Sequence, residues 1–263
     1  MIEPIKIANR EIGIYTIMAA IGFAASMIFI TRVLKKKTKD DTNYIIIYLL
    51  SIIGLLIGGH LLYAITNMHF IINVIKNAGS IDSFHKLFHV LGTIFGGNVF
   101  YGGLIGGLIT GMLLTKKFKV DKALLADVTA MVIPLFHGFG RIGCFLAGCC
   151  YGIESKIGFV YHHSENALAN GVSRFPIQLV ESGCNFILFF ILYRLYKKDN
   201  HKGYLLHIYF YAYPVIRFID EFFRGDSYRG FLFGLSTSQI ISILLIIINT
   251  VVLLKRKKKV TTK

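Results

Sequence analysis

The chain has 263 residues, 54% of them hydrophobic and only 16% charged, with a mean hydropathy of +0.61 and a formal charge of +15. That balance is far more apolar than soluble domains show. Its Lys and Arg sit in short clusters between apolar runs rather than on one continuous face, which argues against a nucleic-acid partner, and four cysteines are too few for a disulfide-rich secreted scaffold.

A bilayer core needs about 20 mostly apolar helical residues. The first suitable run covers 12–34; it lacks the basic start and small-residue cleavage site of a signal peptide, so it reads as a retained span. Further runs follow at 43–66, 98–115, 122–139, 176–196, 204–219 and 238–254, the fourth and sixth being shorter or more polar than the rest. The third contains "GGNVFYGGLIGGLITG", whose glycines suit close backbone contact between membrane helices. The expectation is an all-α polytopic membrane protein with about seven transmembrane helices, forming one integral membrane domain over residues 1–263.

Charge orients these spans. The segments "RVLKKKTK", "KKFKVDK", "RLYKKDNHK" and "KRKKKVTTK" carry roughly two-thirds of the Lys and Arg, and all fall on one side if the N-terminus is outside. The C-terminus is then cytoplasmic, and the three long connections, 67–97, 140–175 and 220–237, lie on the outer face.

Those connections and the adjoining helix ends contain Arg141, Arg174, Arg217, Arg224, Arg229, Glu181, Asp220, Glu221 and Asp226. Ionisable groups at membrane depth face polar cavities and pair with one another. A guanidinium fork binds phosphate oxygens bidentately, so clustered arginines near the outer leaflet suit a lipid headgroup. An isolated arginine snorkelling to the interface is the simpler alternative. Arg141 and Arg217, each flanked by span residues and by carboxylates of the same set, favour the site. Glu221 falls four residues after Arg217, on one helix face, and would orient it.

The stretch "HGFGRIGCFLAGCCYG" at 137–152 places three cysteines within seven positions. A structural metal site would need a second Cys pair or histidines, and only tertiary contact with His60 or His137 would supply one. A Cys-x-x-Cys redox motif is missing, although an outward-facing compartment permits a disulfide. The thiols could equally pack as small hydrophobes, the simplest account of Cys184 within a span. "FHKLFHVL" sets His85 and His89 on one helical face, either as the polar edge of an interfacial helix or as catalytic groups.

Taken together these strings resemble the prolipoprotein diacylglyceryl transferase family. In "GRIGCFLAGCCYG" the residues Gly140, Arg141, Gly143, Phe145, Gly148 and Gly152 stand in register with the family signature. "IYTIMAAIGF" is similar to the first span, with Tyr15 at its tyrosine, and "GGHLLY" to the Gly-Gly-Arg-x-x-Tyr of the second. "GGNVFYGGLIG" resembles the Gly-Gly…His-Gly-Gly element, and "DVTAMVIP" precedes the signature as in the family. "RFPIQLVES", "RFIDEFFRGD" and "LSTSQIISI" resemble the family's Arg-His-Pro-x-Gln-Leu-x-Glu segment, its Arg-x-x-x-Glu-Phe-x-Arg element and the start of its last span.

The resemblance implies a multi-pass enzyme of the bacterial cytoplasmic membrane. It would move the diacylglyceryl group of phosphatidylglycerol to the lipobox cysteine of a prolipoprotein signal peptide, at the outer face, among membrane lipids and without metal or cofactor. It implies catalytic roles for Arg141, Arg217, Tyr101 and His60, and substrate contacts by Tyr15, Gly102, Gly103, Gly140, Cys144, Cys149, Gln178, Glu181, Glu221 and Arg224. The departures are specific. Cys144, Ala147 and Cys149 replace the signature's two asparagines and glutamate, Tyr101 its histidine, and His60 the second-span arginine. A related transferase with another acceptor, or a lipid-binding protein that kept the fold, are the alternative readings.

Overall fold

Long apolar runs bounded by polar clusters become helices because a helix satisfies its own backbone hydrogen bonds without water. The computed structural model describes residues 5–7, 10–39, 41–76, 83, 90, 92, 97, 99–162, 164, 166–198, 202–226 and 230–261. Helix dominates them: α1 Ile14–Lys37, α2 Asp41–Thr66, α3 Met68–Lys76, α4 Phe100–Phe118, α5 Lys122–Ala147, α6 Ile177–Lys197, α7 Leu205–Asp220 and α8 Thr237–Thr261. Five of these, α1, α2, α5, α6 and the Thr237–Arg256 part of α8, are long and apolar enough to cross a membrane. The protein is thus a mostly helical membrane protein.

Among the described residues three short antiparallel pairs supplement the helices: β1 Ile5–Ile7 with β2 Arg10–Ile12, β3 Glu154–Val160 with β4 Ser173–Arg174, and β5 Phe231–Leu232 with β6 Leu235–Ser236. They flank or connect the apolar runs, and all but the seven-residue β3 are too short to leave an alternating pattern in the sequence. Helix α5 runs to Ala147, eight residues past the expected end of its span at 139, so Arg141 stands on a helix rather than in a connection.

The chain packs as two units, one of Met1–Val33 with Ala123–Lys263 and one of Leu34–Lys122. In the second unit α2 crosses α4 backbone to backbone. A Cβ on Gly58 would run into the Gly102 carbonyl oxygen, and one on Gly102 into that of Gly58. Val99 N–H donates to the Gly59 carbonyl at 3.2 Å, and the Tyr44 hydroxyl accepts from the Asp121 N–H at 2.8 Å.

In the first unit α1 lies along α5, where Gly143 leaves room for Tyr15 and Met18. Helix α6 joins α5 through the Ser182 hydroxyl, which donates to the Gly138 carbonyl at 2.8 Å, and through the edge-on rings of Phe139 and Phe186. His207 and Asn249 (2.6 Å) and Tyr211 and Thr250 (2.8 Å) tie α7 to α8. Asp127 accepts from the N–H groups of Gly203 and Leu205, which fixes the basic connection into α7.

At the Arg141 end of this unit, the segment after α5 is stitched to the segment after α7. Ile153 N–H bonds to the Phe223 carbonyl, Gly225 N–H to the Tyr151 carbonyl, and Phe175 N–H to the Ile153 carbonyl, each at 2.9 Å. These bonds carry Cys149 and Cys150 to Arg224.

Candidate active site

Helix periodicity builds the site. On α5, His137, Arg141 and Cys144 recur every three or four residues on one buried face; on α6, Gln178, Glu181 and Asn185 do the same. The two faces meet at Glu181, which is 1% exposed. Its Oε2 lies 2.7 Å from Arg141 Nη2 and its Oε1 3.6 Å from His137 Nε2. Asn185 Nδ2 donates to the Glu181 carbonyl at 2.8 Å, and the His137 ring lies tilted against Tyr213 with centroids 5.3 Å apart.

Arg217, at the end of α7, pairs with Glu221 at 2.6 Å (Nη2 to Oε2) and donates to the Ser238 hydroxyl at 3.1 Å. The expected spacing of four is therefore used. It spans the junction of α7 with a single 3-10 turn, Glu221–Phe223. Arg217 also acts electrostatically on Glu181, so two arginines from different helices share the field of one buried carboxylate. The Nε of Arg141 and the Nη1 of Arg217 are buried and find no acceptor among the described residues. Such donors cost free energy unless something accepts from them.

The third arginine, Arg224, grips Asp226 in a fork, Nε to Oδ1 at 2.9 Å and Nη2 to Oδ2 at 2.5 Å. Burial opposes its charge, but Cys150 and Asp226 hold it above the ordinary arginine value.

Beside Arg141 the chain turns. Gly148 takes a left-handed conformation (φ 76°); Cys149 N–H bonds back to the Cys144 carbonyl and Gly148 N–H to that of Phe145. This is the Schellman arrangement, which sets the residue after the glycine against the one five positions earlier. Cys144, Cys149 and Cys150 thereby place their three sulfurs within 4.8 Å of one another. Arg141 Nη1 donates to Cys144 Sγ at 3.8 Å. Hydrogen bonds from Cys144 and Cys149 pull Cys150 well below the usual thiol range, with Arg224 and Arg141 adding to the effect; the bonds Cys149 makes to Cys144 and Cys150 push its own thiol up. Gln178 Nε2 anchors the turn by donating to the Cys149 carbonyl at 2.9 Å and to the Tyr161 hydroxyl at 3.3 Å; burial pushes that phenol up to about 12.

The first unit thus collects Tyr15, Gly140, Arg141, Cys144, Cys149, Gln178, Glu181, Arg217, Glu221 and Arg224. His60, Tyr101, Gly102 and Gly103 belong to the second unit. There His60 Nδ1 meets the Gly97 carbonyl at 2.8 Å, Tyr101 is buried, and Gly102 and Gly103 pack α4 against α2. His85, His89 and Arg229 lie outside the described residues. Sequence reasoning passed over Asn185, Ser182 and Ser238. The spacing of Gln178, Glu181 and Asn185 on one helical face could have found the first, since three polar groups in register do not occur by chance on a lipid-facing helix.

Comparison with known proteins adds a separate line. The family model described as prolipoprotein diacylglyceryl transferase matches residues 4–255. The chain is similar to the phosphatidylglycerol–prolipoprotein diacylglyceryl transferase of Clostridium tetani (strain Massachusetts / E88), 37% identical over 231 residues covering 87% of either chain. It is 36% identical to transferase 2 of that name from Clostridium perfringens (strain 13 / Type A), over 91% of this chain and 89% of the relative. The corresponding transferase of Geobacter sulfurreducens is 29% identical over 92% of this chain and 90% of its own.

Proposed function

The chain belongs to the prolipoprotein diacylglyceryl transferase family, and on that premise we propose that its buried arginines hold the phosphate of phosphatidylglycerol while the diacylglyceryl group passes to a prolipoprotein thiol. It is a membrane transferase of lipoprotein biosynthesis. In the reaction, a C–S bond forms between the acceptor cysteine and the glyceryl carbon. The bond from that carbon to the phosphate oxygen breaks, and its electron pair leaves on glycerol phosphate. The acceptor thiol gives up its proton, which ends on the departing glycerol phosphate or in solvent, so atoms and charge balance.

The observation that carries the reading is the pair of buried guanidinium N–H groups, Arg141 Nε and Arg217 Nη1, which have no acceptor among the described residues. Both guanidiniums are already oriented by carboxylates, Glu181 and Glu221, so they need no reorganisation as charge builds on the leaving phosphate. Arg224 extends the cationic layer, Gln178 holds the turn beneath it, and Tyr15 and Gly140 border it. For proton handling the family resemblance offers His60 and Tyr101, which belong to the second unit. Cys144 and Cys149, at the signature's Asn and Glu positions, line the acceptor side. The enzyme works at the outer face of the bacterial cytoplasmic membrane through seven spans, N-terminus outside and C-terminus inside.

The test is transfer of labelled diacylglyceryl from phosphatidylglycerol to a lipobox peptide. Arg141→Ala should lower it by roughly 10²–10³-fold, the usual loss for one preorganised donor. Wild-type transfer by a folded Arg141→Ala protein would sink the assignment.

A further inference from the structure

We propose that Cys144, Cys149 and Cys150 form a three-thiolate site for a single zinc ion, with the fourth coordination position open. The linear pattern, one cysteine followed five residues later by an adjacent pair, matches no zinc spacing. The fold supplies the missing proximity. The Schellman turn at Gly148 brings Cys149 against Cys144, and Cys150, next in the chain, completes the set with all three sulfurs within 4.8 Å. A tetrahedral site with Zn–S bonds of about 2.3 Å sets its sulfurs about 3.8 Å apart, so closing on the ion takes about 1 Å of side-chain adjustment.

Three further observations favour a ligand set over simple packing. Cys150 holds a left-handed backbone, φ 54°, which costs a non-glycine residue roughly 1 kcal/mol. The carbonyls on either side of the turn are pinned by side chains, Gly148 by the Ser164 hydroxyl at 3.0 Å and Cys149 by Gln178 at 2.9 Å. Outer-shell anchoring of this kind keeps ligands in place at metal sites. Three thiolates with Zn²⁺ also leave a net charge of about −1, and Arg141, already donating to Cys144 Sγ, stands ready to balance it.

The site adjoins Arg141 but is tested by metal binding rather than turnover, so failure here leaves the arginine reading standing. The full chain, reduced and held in detergent, is titrated with Zn²⁺, and with Co²⁺ as a spectroscopic probe. One metal per chain is expected, with the visible bands of tetrahedral cobalt and sulfur-to-metal charge transfer. Cys144→Ser, Cys149→Ser and Cys150→Ser should each weaken binding at least roughly tenfold, while Cys184→Ser leaves it unchanged. Circular dichroism and elution volume confirm that each variant is folded. The proposal fails if the reduced chain takes up no metal, if uptake survives all three substitutions, or if the thiols persist as a disulfide after reduction.

Discussion

Glu181 does the most among the site's carboxylates, because one buried side chain faces both Arg141 and His137. Removing one partner of a buried pair leaves an uncompensated charge, at a cost of about 3–5 kcal/mol. Glu181→Ala should therefore lower the Tm in detergent by several degrees and abolish transfer. Glu181→Gln keeps an acceptor oxygen and should cost less than half as much stability. Equal Tm values for the two would show that the charge pair contributes nothing. Arg141→Lys separates charge from geometry: the ammonium can still face Glu181 but lacks the planar fork, so the protein should remain folded while labelled-lipid transfer falls at least roughly tenfold. At this scale Arg141, Arg217, Glu181 and Glu221 were all legible as a charged set in an apolar chain. The partners were not. The Arg217–Glu221 pair follows from a spacing of four, whereas Arg141–Glu181 joins residues forty positions apart on different helices, which no local spacing encodes.

At the scale of elements, glycines decide how helices meet. Where a Cβ on Gly102 would strike the Gly58 carbonyl, the obstacle is backbone, and no rotamer change relieves it. Gly102→Ala should push α2 and α4 apart and cost about 1–3 kcal/mol. Gly107→Ala, five residues on, meets nothing closer than the Ser51 carbonyl at 3.4 Å and should be close to neutral. Thermal unfolding of the two variants side by side checks this, and a Gly107→Ala protein that loses as much as Gly102→Ala would refute it. The packing role of "YGGLIGGLITG" was readable from composition alone. What composition hid was the end of α5: "GRIGCFLAG" looks like a loop because it is rich in glycine and cysteine, yet only Gly148 takes the positive φ that stops the helix. The same turn explains why a metal looked implausible in the linear sequence, since the thiols become neighbours only after the chain reverses there.

For the whole molecule, charge sorts the helix ends between the two faces of the membrane. Five helices satisfy the length and hydropathy of a span, while α4 and α7 are the marginal ones, α7 with only 16 residues and a proline at 214. If both cross, the number of crossings is odd and the termini lie on opposite sides; if just one crosses, they lie on the same side. Charge favours the crossing of both. Lys35–Lys37 at the end of α1, Lys116 and Lys117 at the end of α4, Lys197 at the end of α6 and the basic tail of α8 all fall on one side only when α4 and α7 both span. Any smaller count would strand at least one of these clusters outside. A C-terminal green fluorescent protein fusion should therefore fluoresce and a C-terminal alkaline phosphatase fusion stay inactive, whereas phosphatase fused within 77–82 should be active. Phosphatase activity at the C-terminus would reverse the assignment and, with it, the argument that Arg141, Arg217 and Arg224 meet their lipid from the outer leaflet.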